Sequence, residues 1–179
     1  MDIMQIEKMR NELLDRMAED FKEAYIAAGV AEPETAGAPR IVRTILDEIG
    51  SIGDDAIGEY YFTPFQEDDE VQFFNALITM TEEIPRERLP QLFEVMSYIN
   101  FSIPSGSFAI DRDLQFFSYR LTIPMPVDFS GEQVYELMNI AAGNSAAIVD
   151  AYMGVFMDVA EGRMSVEEVL DLLGGRREG

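Results

Sequence analysis

The sequence predicts an α+β fold: a single antiparallel sheet with helices packed on one face, in the order ααββαββαα. Three observations carry this. Two pairs of β-patterned runs, 57–63 with 71–80 and 106–111 with 114–124, are each joined by a short polar turn, and strands joined that way pair antiparallel. The stretches around them repeat apolar residues at spacings of three and four, the period of a half-buried helix. Helix starts are also marked: Asp2 with Gln5, Ser130 with Gln133 and Ser165 with Glu168 all have capping-box spacing.

Residues 2–28 read as one long amphipathic helix, with Ile6, Met9, Leu13, Met17, Phe21, Ala24 and Ala28 as its stripe and Gly29 as its stop. Pro33 and Gly37 punctuate a loop over 31–38. Pro39 then opens a predicted helix over 39–49, whose stripe is Ile41, Val42, Ile45, Leu46 and Ile49 and whose end is Gly50. Residues 57–63 form an aromatic strand that Pro64 confines to an end or edge. Residues 66–70 make a charged turn whose carboxylates lack the alternate spacing and the glycine of a calcium loop. Residues 71–80 are apolar on both faces, which predicts a strand central in its sheet.

A helix over 87–100 carries Leu89, Leu92, Phe93, Met96 and Ile99, with Pro90 tolerated in its first turn. It leads to the hairpin 106–124, with its turn at Arg112 and Asp113. Opposing Asp111 to Leu114 sets Ile110 against Gln115 and Phe108 against Phe117. Phe108, Ile110, Phe117, Tyr119, Leu121 and Ile123 then share one face, and Ser107, Ala109, Phe116, Ser118, Arg120 and Thr122 the other. The apolar face is expected to lie on the next helix, which opens after Ser130 and runs to Gly162, with its stripe over Val134–Val159. That helix carries Val134, Leu137, Met138, Ala141, Ser145, Ile148, Tyr152, Val155 and Val159, and a side of small residues including Gly143 and Gly154. A short final helix follows Ser165.

Charge and composition narrow function further. The chain has 34 acids and 13 bases, a formal net charge of −21, so nucleic acid and anionic membrane surfaces are not expected partners. A charge of this size commonly serves solubility alone; an attraction for basic partners is the functional alternative. No apolar run reaches the ~18 residues of a membrane span, and the start lacks the pattern of a secretory signal, which predicts a cytoplasmic protein. With no Cys and no His there is neither a thiol or imidazole nucleophile or base nor a thiolate or imidazole metal ligand. A Ser-His-Asp triad is excluded. Phosphate loops and the Gly-x-Ser-x-Gly elbow are absent. Asp111 and Asp113 flank an exposed turn, where Asp is common for backbone bonding alone. We therefore expect no enzyme, no metal and no cofactor. Eleven methionines suit adaptable binding faces, but Met9, Met17, Met96 and Met138 fall on core stripes.

The run 92–100 (Leu-Phe-Glu-Val-Met-Ser-Tyr-Ile-Asn), then 106–111 (Gly-Ser-Phe-Ala-Ile-Asp), 114–121 (Leu-Gln-Phe-Phe-Ser-Tyr-Arg-Leu) and Ser130 opening a long helix, resembles the YbjN-like proteins of bacteria. The resemblance spans roughly 57–172, so residues 1–55 stand apart as an N-terminal helical extension and 56–179 as the α+β domain, in one compact unit overall. The family is similar in fold to type III secretion chaperones, which are small acidic homodimers that bind unfolded client segments. The resemblance implies a non-enzymatic, sensory or regulatory protein that binds a protein or peptide client, acts as a homodimer and carries no catalytic residues. The hairpin face holding Phe116, Ser118 and Arg120 is the expected partner-binding surface; for Arg120 a local carboxylate partner is the simpler alternative. A second possibility is a small-molecule sensor with its ligand between the sheet and the C-terminal helix, and an enzyme using carboxylates and Tyr is a third.

Overall fold

The structure, a computed structural model, describes residues 2–35, 37–51, 53–65, 69–81, 84–111 and 116–174. The elements run α1 (Ile3–Glu23), β1 (Ala27–Ala31), β2 (Ile41–Ile49), β3 (Asp54–Phe62), β4 (Val71–Thr81), a 3-10 turn (Arg86–Arg88), α2 (Leu89–Ser102), β5 (Ser107–Ile110), β6 (Phe117–Pro126), α3 (Gly131–Ala160) and α4 (Val166–Gly174). All strands join one antiparallel sheet in the order β1-β2-β3-β4-β6-β5. The α+β class, with helices on one face of one sheet, is as the sequence predicts.

Two stretches of the N-terminal part differ from expectation. The run 39–49 is strand β2, not a helix. Its apolar residues fit a helical stripe, but Val42, Thr44 and Leu46 are buried while Arg43, Ile45 and Asp47 face out, the alternation of a half-buried strand. Five of its nine residues are β-branched, which tips an ambiguous period toward strand. The first helix ends at Glu23 rather than near residue 28: Tyr25 turns the chain at φ 62°, and Gly29 lies inside β1. Residues 1–55 are therefore not a helical extension, because β1 and β2 continue the sheet beyond β3.

The remaining elements follow their sequence signals. Asp2 with Gln5 and Ser130 with Gln133 form complete capping boxes, and Ser165 exchanges hydrogen bonds with Glu168 at the start of α4. β4 is interior, between β3 and β6. In the hairpin Phe108 opposes Tyr119 and Ile110 opposes Phe117, two residues from the predicted register. A shift of two preserves which residues share a face, so the face assignment holds. The turn at Arg112 and Asp113, and 66–68 of the charged turn, lie outside the described residues.

The core lies between the sheet and α1, α2 and α3. Phe156 of α3 packs on Phe108 and Phe117, with ring centroids 4.7 and 4.4 Å away. Each fully buried aromatic side chain contributes roughly 2–3 kcal/mol by area removed from water. α3 is long and apolar enough to cross a membrane by length and composition; here Val134, Met138, Val149, Met153, Phe156 and Val159 are buried in the core. Of its two internal glycines, Gly154 is packed so closely that a Cβ would strike Ser51, whereas Gly143 faces open space. Tyr135 of α3 donates to Asp20 of α1, and Arg16 stacks over the Tyr135 ring, tying the two helices together.

Candidate functional site

One face of the sheet carries the helices; the other is open. Cross-strand register places its residues in rungs: Ala27, Ile45, Ile57, Thr79, Ser118 and Ala109; then Gly29, Arg43, Glu59, Leu77, Arg120 and Ser107; then Ala31, Ile41, Tyr61, Asn75 and Thr122; then Phe73 and Pro124. Ile45, Ile57 and Phe73 remain 47%, 45% and 42% exposed. These rungs hold a single acid, Glu59, which Arg43 pairs at 2.8 Å. Asn75 anchors the third rung by donating to Thr63 Oγ1 at 2.9 Å and accepting from Thr122 at 2.8 Å.

The three residues expected to bind a partner do not share one exposure. Arg120 is exposed on the open face between Leu77 and Ser107, and it forms no ion pair among the described residues. Phe116 is half-buried just before β6, where its carbonyl accepts from Asp111 N at 3.0 Å. Ser118 is 1% exposed between Thr79 and Ala109, so its hydroxyl is withdrawn from any partner on this face. The predicted patch is thus reduced at Ser118 and extended across Ile45, Ile57 and Phe73. Ile45 and Ile57 are missed because the sequence reading makes β2 a helix, which hides their pairing; Phe73 lies on β4, paired with Pro124.

The sheet's β5 margin is blocked at Phe108 by a side chain. Because Asp111 N bonds to Phe116 O, the backbone groups of Phe108 and Ile110 point away from β6. The Asn100 amide meets those of Phe108, accepting from its N–H at 2.8 Å and donating to its carbonyl at 3.0 Å. A side-chain amide thereby stands where a further strand would pair. Gly106, at φ 64°, lets the chain enter β5 over the Tyr119 ring, whose hydroxyl donates to Ser105 O at 2.8 Å.

A second feature has no counterpart in the sequence expectations. Arg10, on the buried stripe of α1 between Ile6 and Leu13, is 5% exposed. Its Nε donates to Gln72 Oε1 at 3.0 Å and its Nη1 to Thr63 O at 3.2 Å, while Nη2 is buried without a hydrogen bond. The guanidinium carbon lies 4.9 and 4.8 Å from the Phe62 and Phe65 ring centroids. Burial lowers its pKa to about 10, against the opposing pull of Glu7 and Asp69, so it is charged at neutral pH. Arg10 lines a cleft of about 410 Å³ between α1, the 32–40 loop and the end of β3. Arg40 closes its flank through Asp15 and Glu32, at 2.9 and 2.8 Å. The signal was present in the sequence: a cation at i+4 from Ile6 and i−3 from Leu13 sits on the apolar stripe. Among the described residues no group of three or more acids is placed to hold a metal ion.

No family model matches the chain, and no curated protein matches it. Among solved structures it is similar to YbjN from E. coli, described as a proposed transcription regulator. The two share 12% sequence identity over 79% of this chain and 91% of that one, with a TM-score of 0.46.

Proposed function

We propose that this protein is a non-enzymatic binding protein for polypeptide partners, that it uses the open face of its sheet, and that the first such partner is a second copy of itself. The observation that carries the reading is the composition of that face. Two chains of net charge −21 repel one another, so they associate most readily through surface from which acids are depleted. Across these four rungs that character holds: one acid, already paired, beside the half-exposed Ile45, Ile57 and Phe73, with Asp47 and Asp55 confined to the β2–β3 end of the face. Edge pairing at β5 is a poorer route, since Asn100 occupies the outward groups of Phe108.

The absence of His and Cys supports a binding role, because it leaves catalysis to carboxylates, Tyr, Ser and the two lysines, Lys8 and Lys22. The perturbed tyrosines have structural causes: burial raises the pKa of Tyr60 and Tyr119, and burial with the bond to Asp20 raises that of Tyr135. The sensor reading would use the open notch between β2 and α3, about 370 Å³, lined by Leu46, Ile49, Ala146 and Asp150.

Light scattering at micromolar concentration tests the first claim: a dimer is expected, and a monomer overturns it. Capture from a bacterial cytoplasm with wild type and an Ile57→Lys, Arg120→Glu variant tests the face. A variant that keeps every partner places the binding surface elsewhere.

A further inference from the structure

We propose that the cleft beside Arg10 binds a small monocarboxylate with an apolar body, the carboxylate seated on the Arg10 guanidinium. Three observations converge there. The guanidinium is 95% buried and only part of its donor set is used: Gln72 and Thr63 take Nε and Nη1, and Nη2 has no partner. A buried charged donor left unpaired is costly, and a carboxylate is the acceptor that fits a guanidinium edge. The walls suit an apolar body, with Phe62, Phe65 and Pro33 facing a space of about 410 Å³, the size of sites that hold metabolites. Charge selects the class of anion. Glu7 and Glu32 line the same cleft, Arg40 is committed to Asp15 and Glu32, and the whole chain is strongly acidic. A phosphate dianion is repelled by that field more than a singly charged carboxylate is. Phe65, half-buried on irregular chain after β3, stacks on the guanidinium, and Nη2 itself is buried, so seating a carboxylate on Nη2 requires that ring to move aside.

Calorimetric titration of the full chain in low-chloride buffer tests this with three probes of one size class, phenylacetate, 2-phenylethanol and benzylamine, and with inorganic phosphate. Phenylacetate is expected to bind saturably and the other three at least about tenfold more weakly. Asn11→Trp fills the cleft mouth from an exposed helix position, so the fold is retained and phenylacetate affinity should fall by about tenfold or more. Arg10→Met should abolish binding. If Arg10→Met does not fold, the Asn11→Trp comparison still decides. Three results overturn the proposal: no saturable heat with phenylacetate, equal affinity for 2-phenylethanol, or unchanged affinity in Asn11→Trp. Phosphate binding as tightly as phenylacetate overturns the carboxylate class.

Discussion

Asn100→Ala removes the side chain that blocks the β5 margin at Phe108. Two hydrogen bonds are lost, of 2.8 and 3.0 Å, both to part-buried backbone of Phe108. Each such bond contributes about 1 kcal/mol net, and stranding the Phe108 groups adds part of a desolvation penalty. Asn100 lies in the last turn of α2, where Ala returns up to about 0.5 kcal/mol of helix propensity. The net loss should be about 2 kcal/mol. For a chain of 179 residues that is a fall in Tm of about 4–8 °C. Urea melts and hydrogen exchange read it together. The Phe108 amide should lose protection well beyond the global change, because local opening of β5 becomes easier than unfolding. Asn100→Asp keeps an acceptor for the Phe108 N–H but sets a negative charge against its carbonyl, and should be no more stable than Asn100→Ala. A Tm within about 1 °C of wild type, with Phe108 exchange unaltered, would refute the clamp.

Further expectations follow from the same geometry. Gly143→Ala should stabilise α3 by about 1 kcal/mol, since it adds a good helix former in open space, while Gly154→Ala should destabilise, since its Cβ meets Ser51; thermal melts of the two separate them. Ile57→Lys should convert a dimer to monomer in sedimentation equilibrium and lower Tm only by the stabilisation that association adds, because Ile57 is 45% exposed in the single chain. Raising salt should tighten self-association, as screening removes repulsion between two acidic chains. The Tyr60 contribution to stability should fall as pH rises from about 10 toward 12, opposed over the same window by Arg10, whose lowered pKa makes the fold release its proton first. Tyr60 is held neutral in the fold, its pKa raised to about 12, while the unfolded chain ionises near 10, so up to about 2 kcal/mol is lost across that window. Tyr60→Phe should flatten the alkaline limb of a stability–pH curve.

The elements legible in the sequence are those where local and tertiary signals agree. Ser130 and Gln133 mark the start of α3 and the structure makes both bonds of the box. The hairpin faces were readable because alternation survives a two-residue error in register, whereas the exact pairing depends on turn residues that alternation does not constrain. β2 was misread because Ile41, Val42, Ile45, Leu46 and Ile49 satisfy two periods at once, and only the neighbour Ile57 across the ladder decides between them. β1, Ala-Ala-Gly-Val-Ala, has almost no strand propensity and exists because β2 supplies a partner. The candidate site inherits those errors: Arg120 was legible from alternation, but Ile45 and Ile57 depend on β2. Arg10 has no counterpart in the sequence expectations, and its burial in the fold is what singles it out.

The two margins of the sheet are guarded by unlike means. One is held by a single amide. The other is held by the whole N-terminal stretch, where β1 and β2 pair outward from β3 and α1 packs beside them. A chain that began at residue 56 would leave what remains of β3, with Tyr60 and Phe62 on its buried face, as an unpaired edge. Its row of free N–H and C=O groups would then be a template for strand addition between molecules. A protease acting on the 32–40 loop threatens the same outcome if the fragment dissociates. The first 49 residues therefore put the five-residue β1 at the margin in place of the nine-residue β3, and limited proteolysis followed by light scattering should reveal growing particles rather than a smaller, well-behaved domain.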